Sequence, residues 1–340
     1  MEINKKLVLV TGGAGFIGSH LVEQLLLLGA EVRVLDNFDD FYKGKEENLI
    51  DYKSNPRFKL VYGNINDLKL VRSCVKGVDI VFHLAAQAGV RYCIENPQKA
   101  NETNVTGTLN VLLASREMRV KKVIYASSSS VYGKPVKLPM NEDHPTNPTN
   151  PYAATKLAGE KYCLAFGETY GLSVTCLRYF SVYGPRGRPD QVLLSFASKC
   201  RSGKPPVIYG DGNQSRDFTY ITDVVSATVL AALRDESDGK VLNIGYGKET
   251  RILDVAKLVL HHYKLKLEPR FEPSYGGDFP RTLCDNGLAR RVLAWQPRVP
   301  FEKGADLTLN WFDRRFSQPA ENGAKPTTKG KALITGEMSG

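Results

Sequence analysis

Short apolar runs alternate with amphipathic segments over the first 180 residues of the chain. Apolar residues recur with helical spacing over 16–28 and 104–118. The apolar runs between such segments predict strands at 7–11, 32–36, 58–62, 78–83, 122–127 and 173–179. Strands that are apolar on both faces and separated by helices form a parallel sheet covered on both sides. The pattern therefore predicts an α/β fold with a doubly wound parallel sheet over 1–184.

The pattern loosens beyond Gly184, where prolines interrupt the chain. Helical spacing returns near 223–233 and 252–263. We expect a smaller, mixed α/β domain over 185–316 that binds the substrate. A further apolar run at 240–244 predicts a strand that rejoins the first sheet.

Composition narrows the class of protein. The 340 residues are 42% hydrophobic and 24% charged, so the chain can bury a full core. Collagen-like, coiled-coil and wholly disordered chains are excluded by these values. Small, polar, proline and glycine residues dominate 317–340, which predicts a disordered tail.

The net charge of +10 is compatible with nucleic acid, an anionic membrane or an anionic small molecule as the partner. No run approaches the roughly 18 apolar residues that span a bilayer, so no membrane interaction is expected. Lysines and arginines are spread along the chain and do not form a stripe interleaved with aromatic residues, so nucleic-acid binding is not expected either. A small anion remains as the candidate partner, and most of the charge is interpreted as ordinary protein surface.

The cysteines show neither a C-x-x-C pair nor a histidine at metal-ligand spacing. This arrangement predicts reduced thiols in a cytoplasmic protein, without disulfides and without a metal site. The six residues are Cys74, Cys93, Cys163, Cys176, Cys200 and Cys284.

Glycines after the first strand predict a dinucleotide site. Gly13, Gly15 and Gly18 have G-x-G-x-x-G spacing, and Gly12, Gly15 and Gly18 are three residues apart. Such a turn lets the backbone approach a pyrophosphate at the N-terminus of the next helix. The second predicted strand ends at Asp36. Its carboxylate can accept hydrogen bonds from the ribose hydroxyls and would repel a 2′-phosphate, which favours NAD over NADP. We therefore expect 1–184 to be an NAD-binding domain of the Rossmann type.

Candidate acid–base chemistry lies near residue 150. Tyr152 and Lys156 are one helical turn apart on one face. An ammonium about 4 Å from a phenol is worth roughly 4 kcal/mol at an effective dielectric near 20, enough to lower the tyrosine pKa by about three units. The serine loop, Ser127 to Ser130, follows a predicted strand at the edge where open α/β sheets bind ligands. Its hydroxyls can hold a substrate oxygen beside Tyr152.

Together these motifs are specific. They are T-G-G-A-G-F-I-G at 11–18, H-L-A-A at 83–86, N-V-x-G-T at 104–108, the serine loop, Tyr152 with Lys156, and R-D-F-T-Y-I-x-D at 216–223. As a set they resemble the extended short-chain dehydrogenase/reductases, which include the nucleotide-sugar epimerases and dehydratases. The resemblance covers the chain to about residue 315. Segments 85–92 and 181–190 are most similar to UDP-glucuronate 4-epimerases.

The resemblance implies roles for individual residues. Tyr152 is then the base, Lys156 binds the nicotinamide ribose and lowers the tyrosine pKa, and Ser128 hydrogen-bonds the sugar O4. Besides Tyr152 and Lys156, NAD contacts Gly12, Gly15, Phe16, Ile17, Gly18, Asp36, Asn37, Asn64, Ile65, Leu84, Ala85, Ala86 and Asn104. The UDP-sugar contacts Arg91, Ser129, Ser130, Ser181, Arg188, Arg216, Asp278 and Arg281. Relatives pair through two long helices, so a homodimer through 96–118 and 152–170 is expected.

The same positions discriminate among reactions. Ser129 and Ser130 stand where the family's dehydratases carry two acidic residues and its UDP-glucuronate decarboxylases a glutamate. Ser181 and Val182 replace the Asn-Pro of galactose-type epimerases. UDP-glucuronate to UDP-galacturonate is the favoured reaction, with Arg188 ahead of Arg186 and Arg91 as the cation for the sugar carboxylate. UDP-glucose or UDP-N-acetylglucosamine 4-epimerisation and UDP-glucuronate decarboxylation remain alternatives.

A non-catalytic NAD-binding regulator is the alternative from another class. Intact Ser128, Tyr152 and Lys156 disfavour it. His83 ends a buried strand, so we interpret it as a packed side chain and not as a catalytic one.

Overall fold

The computed structural model describes residues 2–274 and 279–317, and of Ser317 only the backbone. The described strands are β1 (Leu7–Thr11), β2 (Glu31–Asp36), β3 (Phe58–Tyr62), β4 (Ile80–His83), β5 (Lys122–Ser128), β6 (Val174–Tyr179), β7 (Val182–Tyr183), β8 (Val207–Tyr209), β9 (Ser215–Asp217), β10 (Thr219–Tyr220), β11 (Val241–Ile244), β12 (Glu249–Arg251) and β13 (Arg270–Glu272). The described α-helices are α1 (Phe16–Leu27), α2 (Leu68–Val75), α3 (Val90–Glu95), α4 (Pro97–Asn101), α5 (Gly107–Glu117), α6 (Pro151–Tyr170), α7 (Val192–Arg201), α8 (Ile221–Leu233), α9 (Ile252–His262), α10 (Gly287–Leu293) and α11 (Phe301–Ser317).

A seven-stranded parallel sheet forms the centre, in the order β11-β6-β5-β4-β1-β2-β3. The predicted doubly wound α/β fold is confirmed, and the six predicted strands form within two residues of their expected limits. The predicted return strand is also confirmed, because β11 pairs with β6. The chain therefore re-enters the first sheet from beyond residue 184, the expected boundary between the domains.

The alternate residues of β1 show why the strands of the central sheet are apolar on both faces. Val8 and Val10 of β1 pack into one core cluster with α1 and α8, while Leu9 packs into a second cluster with α2, α5 and α6. Successive side chains of a strand point to opposite faces of the sheet. Each face is thus buried under its own layer of helices.

The chain after β6 builds the smaller part of the molecule. It contains three two-stranded sheets among the described residues, in which β7 pairs with β10, β8 with β13, and β9 with β12. Apart from Ser317, the predicted disordered tail lies outside the described residues.

Glu160 on α6 and Arg178 on β6 form a buried ion pair. Arg178 donates from Nε to Glu160 Oε2 at 3.0 Å and from Nη2 to Oε1 at 2.6 Å, and Ser127 of β5 also donates to Oε2 at 2.9 Å. Both charged side chains are almost fully buried. Their bidentate geometry sets the position of α6 along β5 and β6, because displacement would leave a buried charge unpaired.

The helix expected over 104–118 is interrupted at its start. Glu102–Thr106 forms a π-helical turn between α4 and α5. Such turns rotate the following side chains relative to a regular helix. Asn104 lies within this turn.

Candidate active site

A cavity of about 630 Å³ opens at the carboxyl ends of the central strands. The turns after β1, β2, β4, β5 and β6 supply much of its wall. Open α/β sheets bind their ligands at this edge, outside the carboxyl ends of the strands. The predicted site residues that line it are Gly12, Gly15, Phe16, Ile17, Gly18, Asp36, Asn37, Asn64, Ile65, Leu84, Ala85, Ala86, Ser128, Ser129, Ser130, Tyr152, Lys156, Ser181, Arg188 and Arg216. The structure brings these distant segments into one site.

Two predicted substrate arginines lie outside this wall. The Arg91 side chain is 68% exposed on α3 and pairs with Glu95, one turn later, at 3.5 Å. Arg281 is 56% exposed and pairs with Glu249. The structure does not bring these two arginines into the cavity wall, and their contact with the substrate stays a prediction. Asp278 lies outside the described residues.

Asn104 also lies behind the wall. Its Oδ1 accepts from the Gln87 amide at 2.7 Å, and its Nδ2 donates to the Gln87 carbonyl at 3.1 Å and to Thr155 Oγ1 at 2.9 Å. The amide side chain thereby joins the turn after β4 to α6. The structure places Asn104 behind the wall, and its contact with the cofactor stays a prediction.

The glycine turn is as close-packed as the predicted dinucleotide site requires. Gly12 has a φ of +70°, and a Cβ there would lie 2.7 Å from the Ala85 backbone. A Cβ on Gly18 would collide with the Gly12 carbonyl oxygen. Only glycine allows this approach of α1 to the sheet, so the cradle for a pyrophosphate is present.

Asp36 ends β2 beside this turn. Its two carboxylate oxygens accept from the Ala14 amide at 2.9 Å and the Phe38 amide at 2.8 Å. Burial raises the pKa of the carboxyl, while these amides oppose the increase. Each oxygen has a further lone pair, so Asp36 can still accept ribose hydroxyls while it holds the turn.

Tyr152 lies near the start of α6, where Asn150 caps the helix by accepting from the Ala153 amide at 2.9 Å. Burial raises the pKa of the Tyr152 phenol, and the hydrogen bond with Ser128 and the charge of Arg188 oppose this. Ser128 in turn accepts from the Ser130 amide at 3.2 Å and donates to the Ser130 hydroxyl at 3.1 Å. The serine loop and Tyr152 thus form one hydrogen-bonded group.

Lys156 lines the cavity, and its ammonium is hydrogen-bonded to β5. Its ammonium donates to the Ala126 carbonyl at 2.7 Å and lies 5.0 Å from the centre of the Tyr125 ring. Burial lowers the pKa of Lys156 to about 8. The expected lowering of the Tyr152 pKa by Lys156 is not seen, because spacing on a helix does not determine where a four-carbon side chain ends.

The loop after β2 supplies cavity residues that the sequence analysis missed. Asp39, Phe41, Tyr42 and Lys45 all line the wall. The Tyr42 hydroxyl is buried and has no hydrogen-bond partner among the described residues. These residues could have been predicted from the sequence, because their loop follows β2 at the same edge of the sheet as Asp36.

His83 is packed, as interpreted from the sequence. Its Nδ1 lies 2.7 Å from Thr11 Oγ1 and its Nε2 lies 2.9 Å from Thr108 Oγ1. Burial, and then the charge of Lys156, lower its pKa to about 3. A neutral imidazole that bridges β1 and α5 is a structural element.

Comparisons with known proteins identify the family of this chain. Residues 8–245 match the model of the NAD dependent epimerase/dehydratase family. The UDP-glucose 4-epimerase of Mycolicibacterium smegmatis is 38% identical over 309 residues, which cover 89% of this chain and 97% of that protein.

Solved structures show the same fold. The UDP-glucuronic acid 4-epimerase from Bacillus cereus, in complex with UDP-glucuronic acid and NAD, has a TM-score of 0.85 at 33% identity and covers 91% of this chain and 100% of its own. The UDP-N-acetylglucosamine 4-epimerase from Methanobrevibacter ruminantium M1, in complex with UDP-N-acetylmuramic acid, has a TM-score of 0.86 at 34% identity, covering 92% and 100%.

The fold and the site define a Rossmann-type, NAD-dependent enzyme with a serine–tyrosine–lysine group. The chain belongs to the NAD dependent epimerase/dehydratase family. The predictions of this family, of an NAD-dependent UDP-sugar 4-epimerase as the type of enzyme and of NAD as cofactor are confirmed. The glycine turn and Asp36 fit this cofactor.

Membrane-spanning helices and metal-binding clusters are both absent from the described residues. None of the described helices is both long and apolar enough to cross a membrane. No group of three or more His, Cys, Asp or Glu side chains in 2–274 and 279–317 is arranged to hold a metal ion.

The buried ammonium of Lys156 should lower stability at neutral pH. The folded lysine titrates at about 8 and the unfolded one at 10.5, so the folded protein binds fewer protons between these values and its stability rises with pH there. We expect Lys156→Met to be more stable than the parent by about 1–2 kcal/mol at pH 7, after allowance for the lost hydrogen bond to Ala126.

This difference should shrink as pH rises from 8 to 10.5. Denaturant unfolding of the nucleotide-free proteins between pH 7 and 10 measures it. A difference that stays constant over this range would contradict the lowered pKa.

Proposed function

We propose that this UDP-sugar 4-epimerase acts on UDP-glucuronate and produces UDP-galacturonate. The observation that carries the proposal is the position of Arg188. Arg188 lines the same cavity as Tyr152, and its positive charge opposes the raised pKa of that phenol, so a sugar whose C4 faces Tyr152 would lie in the same cavity as this cation. Ser129, Ser130 and Ser181 line the same cavity and add hydroxyl donors for a carboxylate. The cavity therefore offers the carboxylate of a uronate both a cation and several hydrogen-bond donors.

The proposed chemistry at C4 uses the serine–tyrosine group. Tyr152 takes the proton of the sugar O4 and later returns it, while Ser128 hydrogen-bonds O4 and keeps it within reach. NAD supplies the hydride acceptor and donor at C4. Lys156 and Asp36 bind the two ribose units, and the turn from Gly12 to Gly18 holds the pyrophosphate. Arg216, which lines the cavity, binds the sugar diphosphate.

Neutral sugars form the second candidate class. Relatives of this chain carry the names of UDP-glucose and UDP-N-acetylglucosamine 4-epimerases. The pairing of Arg188 with Asp190 favours this class, because the pair as a whole is neutral. Decarboxylation of UDP-glucuronate is disfavoured by Ser130, where a glutamate would be expected.

Product analysis separates these candidates. UDP-glucuronate, UDP-glucose and UDP-N-acetylglucosamine are incubated with the enzyme side by side, and the products are followed by NMR. We expect kcat/KM for UDP-glucuronate to exceed the other two values by at least about tenfold, because an unpaired sugar carboxylate in a site without a cation costs several kcal/mol. Equal turnover of the neutral sugars would refute the substrate assignment.

The 4-keto form of a uronate is a β-keto acid and loses CO₂ unless its carboxylate is held near the carbonyl plane. In that loss the C5–C6 bond breaks, its electron pair passes toward the C4 carbonyl, and C5 takes up a proton. We expect Arg188→Ala and Ser181→Ala to lower kcat/KM for UDP-glucuronate, the first by roughly 100-fold. Both variants should release UDP-4-keto-pentose, which NMR detects.

Arg251→Ala is the matched control, because Arg251 pairs with Asp254 and lies outside the cavity wall. It should epimerise UDP-glucuronate like the parent and release no keto-pentose. Slower epimerisation without any keto-pentose in the Arg188 and Ser181 variants would overturn the proposed clamp.

The enzyme is further proposed to form a homodimer through the helices around α6. Val90, Ile94, Tyr162 and Tyr170 expose between 36% and 51% of their surface on α3 and α6. Light scattering should give about twice the chain mass of 37.7 kDa. Tyr162→Glu should shift the mass toward that of the monomer, and Leu267→Glu, an exposed apolar position elsewhere, should not. A parent protein of 37.7 kDa would refute the dimer.

A cytoplasmic location is proposed from the thiols. All six cysteines are buried and free in the structure. Reduced thiols of this kind are typical of proteins that fold in a reducing compartment.

A further inference from the structure

Arg188 does not stand alone in the cavity wall. Its Nε donates to Asp190 Oδ1 at 2.9 Å and its Nη2 to Asp190 Oδ2 at 3.1 Å. Asp190 lines the same cavity. The two parallel bonds are the geometry in which a guanidinium recognises any carboxylate. Asp190 therefore occupies the edge of Arg188 that a sugar carboxylate would use.

The segment that carries this pair is anchored to the dinucleotide-binding helix. His20 Nε2 of α1 lies 2.8 Å from the Pro185 carbonyl, and Arg186 donates to Glu23 at 2.8 Å. Burial, and then the charge of Arg186, lower the pKa of His20 to about 3, so the imidazole is neutral and donates to that carbonyl. Residues 185 and 186, just before Arg188, are thus both tied to α1. With this segment anchored, we expect a change of partner at Arg188 to need only rotation of its side chain.

The two members of the pair differ in their surroundings. Arg188 is mostly buried, with its guanidinium 5.9 Å from the centre of the Phe41 ring. The Asp190 side chain is 45% exposed. An exposed carboxylate can turn into water at small cost, whereas a buried guanidinium needs a partner. Of the two, Asp190 is the group that can leave.

We propose that Asp190 is a specificity-determining positioning residue, which holds Arg188 with a carboxylate that a uronate substrate must displace. This inference rests on the proposed role of Arg188 in binding the sugar carboxylate. When a uronate binds, its carboxylate takes over the guanidinium edge and Asp190 rotates to solvent. When a neutral sugar binds, the Arg188–Asp190 pair persists. The preference between charged and neutral UDP-sugars is then set by this competition.

Asp190→Asn tests the competition directly. Asparagine keeps the shape of the side chain but removes its charge, so the uronate no longer competes with an anion. We expect the ratio of kcat/KM for UDP-glucuronate to kcat/KM for UDP-glucose to rise about three- to fivefold, mainly through a lower KM for UDP-glucuronate. The enzyme with its bound NAD is assayed on both sugars by NMR. Asp190→Glu restores the anion and should return the ratio toward that of the parent.

Asp254→Asn is the matched control. Arg251 and Asp254 form the same bidentate pair at 2.8 and 3.0 Å near the start of α9, and neither side chain lines the cavity. This variant should leave the ratio unchanged. Thermal unfolding of all variants shows whether any loss comes from the fold, and a ratio of two substrates on one preparation is independent of the fraction folded.

The outcomes separate this inference from the proposed substrate. If the parent does not turn over UDP-glucuronate but the Asn variant does, Asp190 controls charge selectivity and the substrate assignment is wrong. If the parent prefers UDP-glucuronate and the Asn variant raises the ratio, both are supported. An unchanged or lower ratio in Asp190→Asn would overturn the role of Asp190, whichever sugar the parent prefers.

Discussion

The parallel direction of the central strands is the constraint on which the site depends. Because β1, β2, β4, β5 and β6 run the same way, the turns that follow them emerge at one edge of the sheet. The glycine turn, Asp36, the serine loop and Ser181 reach one cavity for this reason, although they are separated by up to 169 positions along the chain. An antiparallel neighbour would carry its turn to the opposite edge.

Beneath the cavity, buried polar contacts hold the helix that carries Tyr152. Tyr152, Lys156 and Glu160 follow each other at four-residue intervals on α6. Glu160 is bound by Arg178 and Ser127, which ties α6 to β6 and β5 next to Ser128. A buried ion pair is weak as a source of stability, but its two-point geometry defines one position of the helix. That position allows the phenol and the Ser128 hydroxyl to share a hydrogen bond.

Three of the arginines predicted to bind the substrate are paired with nearby carboxylates. Among the arginines proposed for the substrate, Arg188 and Arg216 line the cavity, whereas Arg91 and Arg281 pair with nearby glutamates outside it. The net charge of +10 therefore says little about the ligand. Inside the cavity, Arg188 is likewise paired with a nearby carboxylate, that of Asp190, and we propose that selectivity depends on which carboxylate binds this guanidinium. The relatives that resemble this chain carry names with charged and with neutral sugars, and such a pair is one place where the two classes can diverge.

Sequence alone predicted the strands, the doubly wound parallel sheet and the dinucleotide turn, and it singled out Ser128, Tyr152 and Lys156 as candidates. These are local patterns, since strand burial, a close-packed glycine turn and a helical face each depend on residues a few positions apart. Only the tertiary structure decided where the long side chains end: Lys156 on the Ala126 carbonyl, Arg91 and Arg281 on glutamates, and Arg188 on Asp190. It also placed Asn104 behind the wall, through a π-helical turn. Long side chains have several rotamers, and the partner that selects one is set by the packing of distant segments.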